Sequence, residues 1–335
     1  MRPQLGVLPR DRAGPEEPGG RRDARGPVGH AGSRLPHTPA STASGDGEHE
    51  LPPSELDAYL GLVESLARRA EPTQRVGIAP HSLRAVDETR LRHVLEWAAE
   101  QNGLPIHIHV AERREEVEEC LASLGARPIE WLLDRVGIDE RWTLIHATHC
   151  SEAERRGMAA SGAVVGLCPA TEANLGDGLF PLPEYHADGG SWAVGTDSNT
   201  AVSLVDELRT LELGQRLRHE RRDILTSLGS EGTEHPGPAL LGQALLSGAR
   251  SVGQPIGALE SGLRADFVVL DPENVSLAGH STETVLDAWI LAATANPVHD
   301  VMVAGNWVVR GGHHERETDI LKRFRRVLEA LWGGE

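Results

Sequence analysis

The sequence predicts an α/β protein built on a parallel sheet, in the form of an incomplete (β/α)8 TIM barrel with a small carboxyl-terminal β-domain. Two observations lead to this prediction. Short apolar runs recur along the chain with helical sequence between them, and this spacing is typical of βα units. Three of these runs, at 106–112, 143–146 and 192–197, end in residues that can bind or serve a metal ion, and a parallel barrel gathers such strand ends on one face.

Five short strands are predicted, which is fewer than the eight of a closed barrel. They lie at 76–79, 106–111, 143–147, 164–168 and 192–196. The helices predicted between and around them lie at 87–101, 115–124, 128–136, 152–160 and 204–215. We therefore expect a barrel wall that is incomplete.

The pattern changes after a further predicted helix at 239–252. A turn and strand at 262–271, a hairpin at 298–309 and an amphipathic helix at 319–331 do not continue the βα repeat. Residues 1–50 contain nine Gly and seven Pro but no Ile, Phe, Trp or Tyr, a composition that predicts disorder. The chain is thus divided into 1–50, a partial barrel at 51–255, and at 256–335 the remnant of a composite β-sandwich with carboxyl-terminal helices.

Composition restricts the classes of partner. The formal net charge of −17 argues against a nucleic-acid or anionic-membrane surface. The chain has no apolar run of 18 residues, so no membrane span is predicted. Its three cysteines share no metal-site spacing and form no obvious disulfide set, which favours a reducing cytoplasm.

His109 and Glu112 are the first candidates for a metal site. His109 leaves its strand on the face opposite Ile108, so it can reach into the barrel mouth. Glu112 follows at the strand end, where a carboxylate can act as a general acid and base beside a metal-bound water. The alternative is that His107 and His109 are structural histidines whose nitrogens bond to backbone groups.

His146 and Asp197 end two further predicted strands. His146 could bind the metal or hydrogen-bond the reacting group, whereas the nearby His149 is better explained as a solvated loop residue. A buried aspartate such as Asp197 is costly unless a ligand compensates its charge, and a helix N-cap is its alternative role. Two imidazoles and a carboxylate suit a catalytic Zn²⁺ that keeps an open position for water.

His81 and Arg84 follow the first predicted strand. An arginine at this position can bind a carboxylate through two parallel hydrogen bonds, which predicts a small acidic substrate for this acidic protein. An ordinary surface arginine is the alternative. The segment 168–178 reads as a loop whose polar residues and glycines are suited to lining the mouth of the site.

Four segments together resemble the amidohydrolase superfamily, and within it the formimidoylglutamate deiminases. The resemblance runs from about Leu51 to the carboxyl end, and its most specific pieces are 77–84 (GIAPHSLR), 106–112 (IHIHVAE), 168–178 (CPATEANLGDG) and 195–199 (GTDSN). It implies one Zn²⁺ per subunit in a (β/α)8 barrel, and a homodimer is possible.

The resemblance also implies roles for individual residues. His109, from the fifth barrel strand, and Asp197, from the eighth, would bind the metal ion. Glu112 would carry protons, and His146 would contact the substrate or the attacking water.

The implied substrate is N-formimino-L-glutamate. His81 and Arg84 would hold it, with Arg84 pairing with a carboxylate. Hydrolysis would yield N-formyl-L-glutamate and ammonia, a step in histidine breakdown. Another deaminase of the same superfamily, acting on guanine, cytosine or S-adenosylhomocysteine, is an alternative reading.

The amino-terminal part departs from the family pattern. Family members begin with strands of a small β-sandwich and a first barrel strand that ends in His-x-His, whose two histidines bind the metal. No His-x-His precedes His107 in this chain, so the five predicted strands correspond to barrel strands four to eight. We hypothesise that 1–50 comes from a different reading frame; the alternative is a shortened, non-catalytic relative that acts as a binding protein.

Overall fold

The chain forms two four-stranded sheets, one parallel and one antiparallel. The computed structural model describes residues 53–101, 103–222, 224–225 and 235–333. The composition-based prediction for 1–50 lies outside these residues. The division of the chain at 255 stays a prediction.

The helices and strands follow the predicted order closely. The helices are α1 (Pro53–Arg69), α2 (Glu88–Ala99), α3 (Arg114–Leu124), α4 (Pro128–Arg135), α5 (Glu152–Ser161), α6 (Pro169–Leu175), α7 (Leu182–Ala187), α8 (Leu204–His219), α9 (Pro236–Val252), α10 (Val285–Asp287), which continues into a π-helical turn (Ala288–Ala292), and α11 (Glu317–Trp332). The strands are β1 (Ile106–Val110), β2 (Trp142–His146), β3 (Val164–Leu167), β4 (Ser191–Val194), β5 (Phe267–Leu270), β6 (Val298–Val303), β7 (Asn306–Arg310) and β8 (His313–His314).

The parallel sheet has the strand order β1-β2-β3-β4, with helices between successive strands. Its strands read as apolar runs because helices cover the outside of such a sheet while its inner face is packed. Ile106, Ile108 and Val110 of β1 are fully buried, whereas His107 and His109 alternate with them on the other face. The fold is therefore α/β and TIM-barrel-like, as predicted, and four of the five predicted strands are confirmed.

The first predicted strand, at 76–79, is wrong as a strand. Ile78 makes only an isolated parallel bridge to Ile106, although its carbonyl accepts a hydrogen bond from the His107 N–H at 2.9 Å. Pro80 follows two residues later and has no N–H to donate to a ladder. The segment therefore runs beside β1 as irregular chain, and it delivers His81 to the end of the sheet.

The predicted loop at 168–178 is also partly helical. Pro169 occupies the first helical position of α6, where a missing N–H costs nothing. Gly176 ends the helix with φ of 76°, a left-handed conformation that glycine adopts without strain. The turn places Glu172 under the sheet end, and Glu172 is buried.

The antiparallel sheet has the order β5-β6-β7-β8. Its predicted hairpin is confirmed: Ala304 and Gly305 join β6 to β7 with φ of 48° and 76°, as a two-residue turn with positive φ at both positions requires. The buried Asp266 carboxylate accepts the Ala304 N–H at 2.7 Å and pairs with Arg264 at 2.6 Å. No helix in the described ranges is long and apolar enough to cross a membrane.

Candidate active site

The backbone is strained where the parallel strands end. Six described residues other than glycine have positive φ, and four of them follow or end β1, β2 and β4: Ala111 (50°), His146 (70°), Ala147 (51°) and Asp197 (51°). Such a conformation costs about 1–3 kcal/mol per residue and persists where the surroundings hold it in place. Its concentration at these strand ends indicates a functional site.

His109 lies on the inner face of β1 with one nitrogen already used. Its Nδ1 donates to the backbone carbonyl of His81 at 3.0 Å, so Nε2 is the nitrogen left for a ligand. Its ring stacks on that of His81 with centroids 5.1 Å apart, and lies 5.8 Å from the ring of His146. Burial lowers the pKa of His109. His107, by contrast, bonds the Ser251 carbonyl at 2.9 Å, so the structural alternative holds for His107.

His146 ends β2 and is fully buried. Its Nδ1 lies 3.1 Å from Oε1 of Glu172. Its Nε2 has no hydrogen-bond partner, and it lies 3.7 Å from Oε1 of Glu112 and 3.6 Å from Oδ2 of Asp197. Burial opposes a charge on this imidazole, but the hydrogen bond and charge of Glu172, with the charges of Glu112 and Asp197, raise its pKa overall.

Arg84 lies between two carboxylates at the rim of the site. Its Nη2 is 3.8 Å from Oε2 of Glu112 and 3.7 Å from Oε2 of Glu116, and its side chain is 27% exposed. Glu116 is buried and accepts the Glu112 N–H at 3.0 Å. Burial raises the pKa of Glu116 and the charge of Arg84 opposes that rise. Arg84 is therefore not an isolated surface arginine.

Asp197 follows β4, and the structure excludes its alternative role as a helix N-cap. The next helix, α8, begins at Leu204 and is capped by Ser203, whose hydroxyl accepts the Asp206 N–H. The Asp197 carboxylate points to His146 instead, at 3.6 Å. The structure thus brings all six predicted residues into one cluster, in which His81 contacts His109, His109 contacts His146, Asp197 lies beside His146, and Glu112 connects His146 to Arg84.

The sequence did not predict two residues of this cluster, Glu172 and Glu116. The sequence predicts a loop around Glu172, although a proline at the first helical position and a glutamate in the first turn are typical of a helix start. Glu116 lies in the first turn of α3, where its side chain accepts the N–H of Glu112, which precedes the helix. His149 lies outside the cluster, where its Nε2 bonds the Asp177 carbonyl at 2.8 Å.

Two sets of side chains within the described residues carry groups of the kind that bind metal ions. In one set, His146, Cys168 and Glu172 have ligand atoms within 4.8 Å of one another. Burial and the neighbouring carboxylates raise the pKa of the Cys168 thiol, which disfavours the thiolate form that binds metal ions. Glu172 Oε1 also already accepts hydrogen bonds from His146 and from the Cys168 N–H.

The second set, His109 and Asp197 with His146 beside them, has the ligand chemistry of a catalytic zinc site. Imidazole nitrogen and carboxylate oxygen are the ligands of catalytic zinc sites. The Nδ1 of His109 bonds a backbone carbonyl, the outer contact that orients metal-binding histidines. The buried Nε2 of His146 faces Asp197 without a hydrogen-bond partner, and an ion or its water would satisfy it.

Imidazoles and carboxylates at the strand ends of a TIM-barrel-like sheet define the class of metal-dependent hydrolases. The model of the amidohydrolase family matches residues 30–308, and the chain belongs to this family. It is 45% identical over 276 residues to a formimidoylglutamate deiminase of Pseudomonas aeruginosa, an alignment that covers 82% of this chain and 60% of the relative.

Solved structures agree with this assignment. An amidohydrolase from Brucella melitensis is 42% identical with a TM-score of 0.74, covering 83% of this chain and 60% of that one. An adenosine deaminase from Xanthomonas campestris with bound zinc is 27% identical with a TM-score of 0.70, covering 81% of this chain and 60% of that one. The chain thus spans about three-fifths of the length of these relatives, and the zinc-bound neighbour supports a metal cofactor.

Proposed function

We propose that the protein hydrolyses N-formimino-L-glutamate to N-formyl-L-glutamate and ammonia, the reaction expected of a formimidoylglutamate deiminase in histidine catabolism. The observation that carries the proposal is the junction at Glu112. One oxygen of this carboxylate lies 3.7 Å from Nε2 of His146, and the other lies 3.8 Å from the cationic Arg84. A proton-transfer group therefore lies between a metal-type cluster and a site for a substrate anion. The 45% identity to a formimidoylglutamate deiminase supports the same reaction.

His109 and Asp197 would hold a Zn²⁺ ion, and zinc in the adenosine deaminase of Xanthomonas campestris supports this choice of metal. When bound, zinc supplies a nucleophile at neutral pH, since it lowers the pKa of bound water to about 7. His146 holds its Nε2 beside Asp197 and Glu112, where it can contact the attacking water or the substrate.

Glu112 moves the proton in this mechanism. Its carboxylate takes a proton from the attacking water as the C–O bond forms at the formimino carbon. It gives that proton to the imino nitrogen, then takes the remaining proton of the new hydroxyl group and passes it to the same nitrogen as the carbonyl forms and the C–N bond breaks, so ammonia leaves rather than an amide anion. The Glu112 backbone N–H donates to Glu116, which fixes the strand end that carries the proton-transfer group.

Arg84 would bind a carboxylate of the substrate. Its distances of 3.7 and 3.8 Å to the two glutamates exceed those of hydrogen bonds, and its buried Nε has no hydrogen-bond partner. The guanidinium therefore keeps donors for an incoming anion. His81, stacked on His109, would line the same side of the pocket.

The test is an ammonia-release assay of the purified, zinc-supplemented protein on a panel of substrates. We expect release from N-formimino-L-glutamate and none from guanine, cytosine or S-adenosylhomocysteine. Release from one of those bases or nucleosides instead would favour a different deaminase, a candidate that the 27% identity to an adenosine deaminase supports. No release from any of them would contradict the proposal. The cytoplasmic location and the homodimer stay predictions.

A further inference from the structure

We propose that Glu172 is a positioning residue that fixes the ring orientation of His146 and the hydrogen on its Nδ1, so that Nε2 faces the reacting groups. The kinetic part of this inference rests on the proposed deiminase function, whereas its spectroscopic part does not. Glu172 lies in the segment 168–178, to which the sequence assigns no role for an individual residue. The inference comes from its place in the fold, directly beneath the imidazole at the end of β2.

The contact between the two side chains defines the ring orientation. Oε1 of Glu172 lies 3.1 Å from Nδ1 of His146 and also accepts the Cys168 N–H at 2.9 Å. Because Oε1 accepts the Cys168 N–H, it serves as an acceptor for His146 as well, so the hydrogen of this bond lies on Nδ1. The ring then presents Nε2 to Glu112 and Asp197. If the ring were rotated by half a turn, Cδ2 would take the place of Nδ1 and Cε1 the place of Nε2, so the hydrogen bond to Glu172 would be lost and a carbon would face Glu112 and Asp197.

Other contacts hold Glu172 where it is needed. The side chain is 4% exposed, and its backbone carbonyl accepts the Asp177 N–H at 2.9 Å. At the start of α6, the Ala170 N–H donates to Oε2 of Glu207 at 2.8 Å. Glu207 is itself fully buried on α8. The short helix α6 is therefore held by a hydrogen bond to α8 at its start and by the Asp177 N–H at its end. The carboxylate is thus preorganised, as catalysis by positioned groups requires.

The strained backbone of His146 makes this contact functionally relevant. Its φ of 70° fixes the direction in which the side chain leaves the strand end. The ring can still turn about the Cβ–Cγ bond of the side chain. The hydrogen bond to Glu172 removes that freedom. A leucine has a similar size but no acceptor atom, so the ring would remain free to turn.

The experiment compares Glu172→Gln with Glu172→Leu. The amide oxygen of glutamine can still accept the Nδ1 hydrogen, whereas leucine cannot. We expect Glu172→Leu to lower kcat about 10- to 100-fold, the usual cost of losing an orienting contact, with little change in KM. Glu172→Gln should recover most of that loss. Glu212→Leu is the matched control, since Glu212 is equally buried but pairs with Arg216 away from the site; it should leave kcat unchanged.

A second measurement, by NMR, detects the hydrogen on Nδ1 of His146 directly. Long-range ¹H–¹⁵N spectra of ring-labelled protein should show a protected Nδ1–H of His146 in the wild type and in Glu172→Gln, and lose it in Glu172→Leu. The positioning role is wrong if the Nδ1–H resonance persists in Glu172→Leu. It is also wrong if the wild type is active and Glu172→Leu has the same kcat. If the wild type releases no ammonia while the resonance behaves as expected, the deiminase proposal fails and the positioning role stands.

Discussion

Replacing Arg84 by methionine should destabilise the fold through Glu116 as well as weaken substrate binding. Two unit charges 3.7 Å apart attract by about 4 kcal/mol at an effective dielectric constant of 20. The Arg84 side chain is 27% exposed, so solvent screens part of this attraction. We expect Arg84→Met to lower the free energy of unfolding by about 2 kcal/mol at pH 7, since the buried Glu116 carboxylate loses its compensating charge.

The stability that Arg84→Met loses relative to the wild type should increase as the pH rises. Burial raises the pKa of Glu116 in the folded state, and removal of Arg84 raises it further. A carboxyl group whose folded-state pKa is raised costs stability once the pH exceeds its unfolded value of about 4.3. The difference in stability between the wild type and Arg84→Met is therefore smallest near pH 4. It widens as the pH rises through the two folded-state pKa values.

Urea denaturation of the wild type, Arg84→Met, Glu116→Gln and the double variant measures the coupling of the two side chains. We expect a coupling free energy of about 2 kcal/mol at pH 7, and a double variant that is more stable than Arg84→Met. A coupling near zero, or a loss that shrinks as the pH rises, would refute the electrostatic argument. In the ammonia assay, Arg84→Lys should lower kcat/KM for N-formimino-L-glutamate about 10- to 100-fold, as loss of a bidentate charged contact implies.

Three further predictions test other parts of the account. His109→Ala should bind at least tenfold less zinc, measured by elemental analysis after dialysis, whereas His107→Ala on the same strand should keep it; equal zinc contents would contradict the assignment of the ligand. In α9, Gly237→Ala should lower the free energy of unfolding by about 1–3 kcal/mol because its Cβ would lie 2.6 Å from backbone atoms. Gly242→Ala, with open space around its Cβ, should raise that free energy by about 0.5–1 kcal/mol. Burial raises the pKa of Glu207 to about 7, so the wild type should lose about 2–3 kcal/mol of stability between pH 5 and pH 8 that Glu207→Gln does not lose; parallel pH curves for the two proteins would refute this.

The parallel sheet and the strand-end residues were predictable from sequence because both follow short-range patterns. Apolar runs separated by helical sequence locate β1 to β4, and each strand end exposes the residue that follows the run. The irregular segment at Ile78 was not predictable from its apolar character. There the missing N–H of Pro80 prevails over strand propensity, although the segment still runs beside β1.

The partners of the predicted residues could not be predicted in the same way. Glu172 and Glu116 contact His146 and Arg84 only because the chain folds helices α6 and α3 back against the strand ends. These contacts join residues far apart in the sequence, so no local pattern reports them. A single sequence identified the residues with metal-type chemistry, and the structure was needed to find the side chains that orient them and balance their charge.

Anomalous diffraction at the zinc edge, from crystals of the zinc-loaded protein, tests the central claim most directly. That claim is that the ends of β1, β2 and β4 form one metal-dependent site. The account predicts an anomalous peak about 2.0–2.2 Å from Nε2 of His109 and from a carboxylate oxygen of Asp197, the usual ligand distances for zinc. A peak bound instead by Cys168 and Glu172, or no peak at these strand ends, would contradict it.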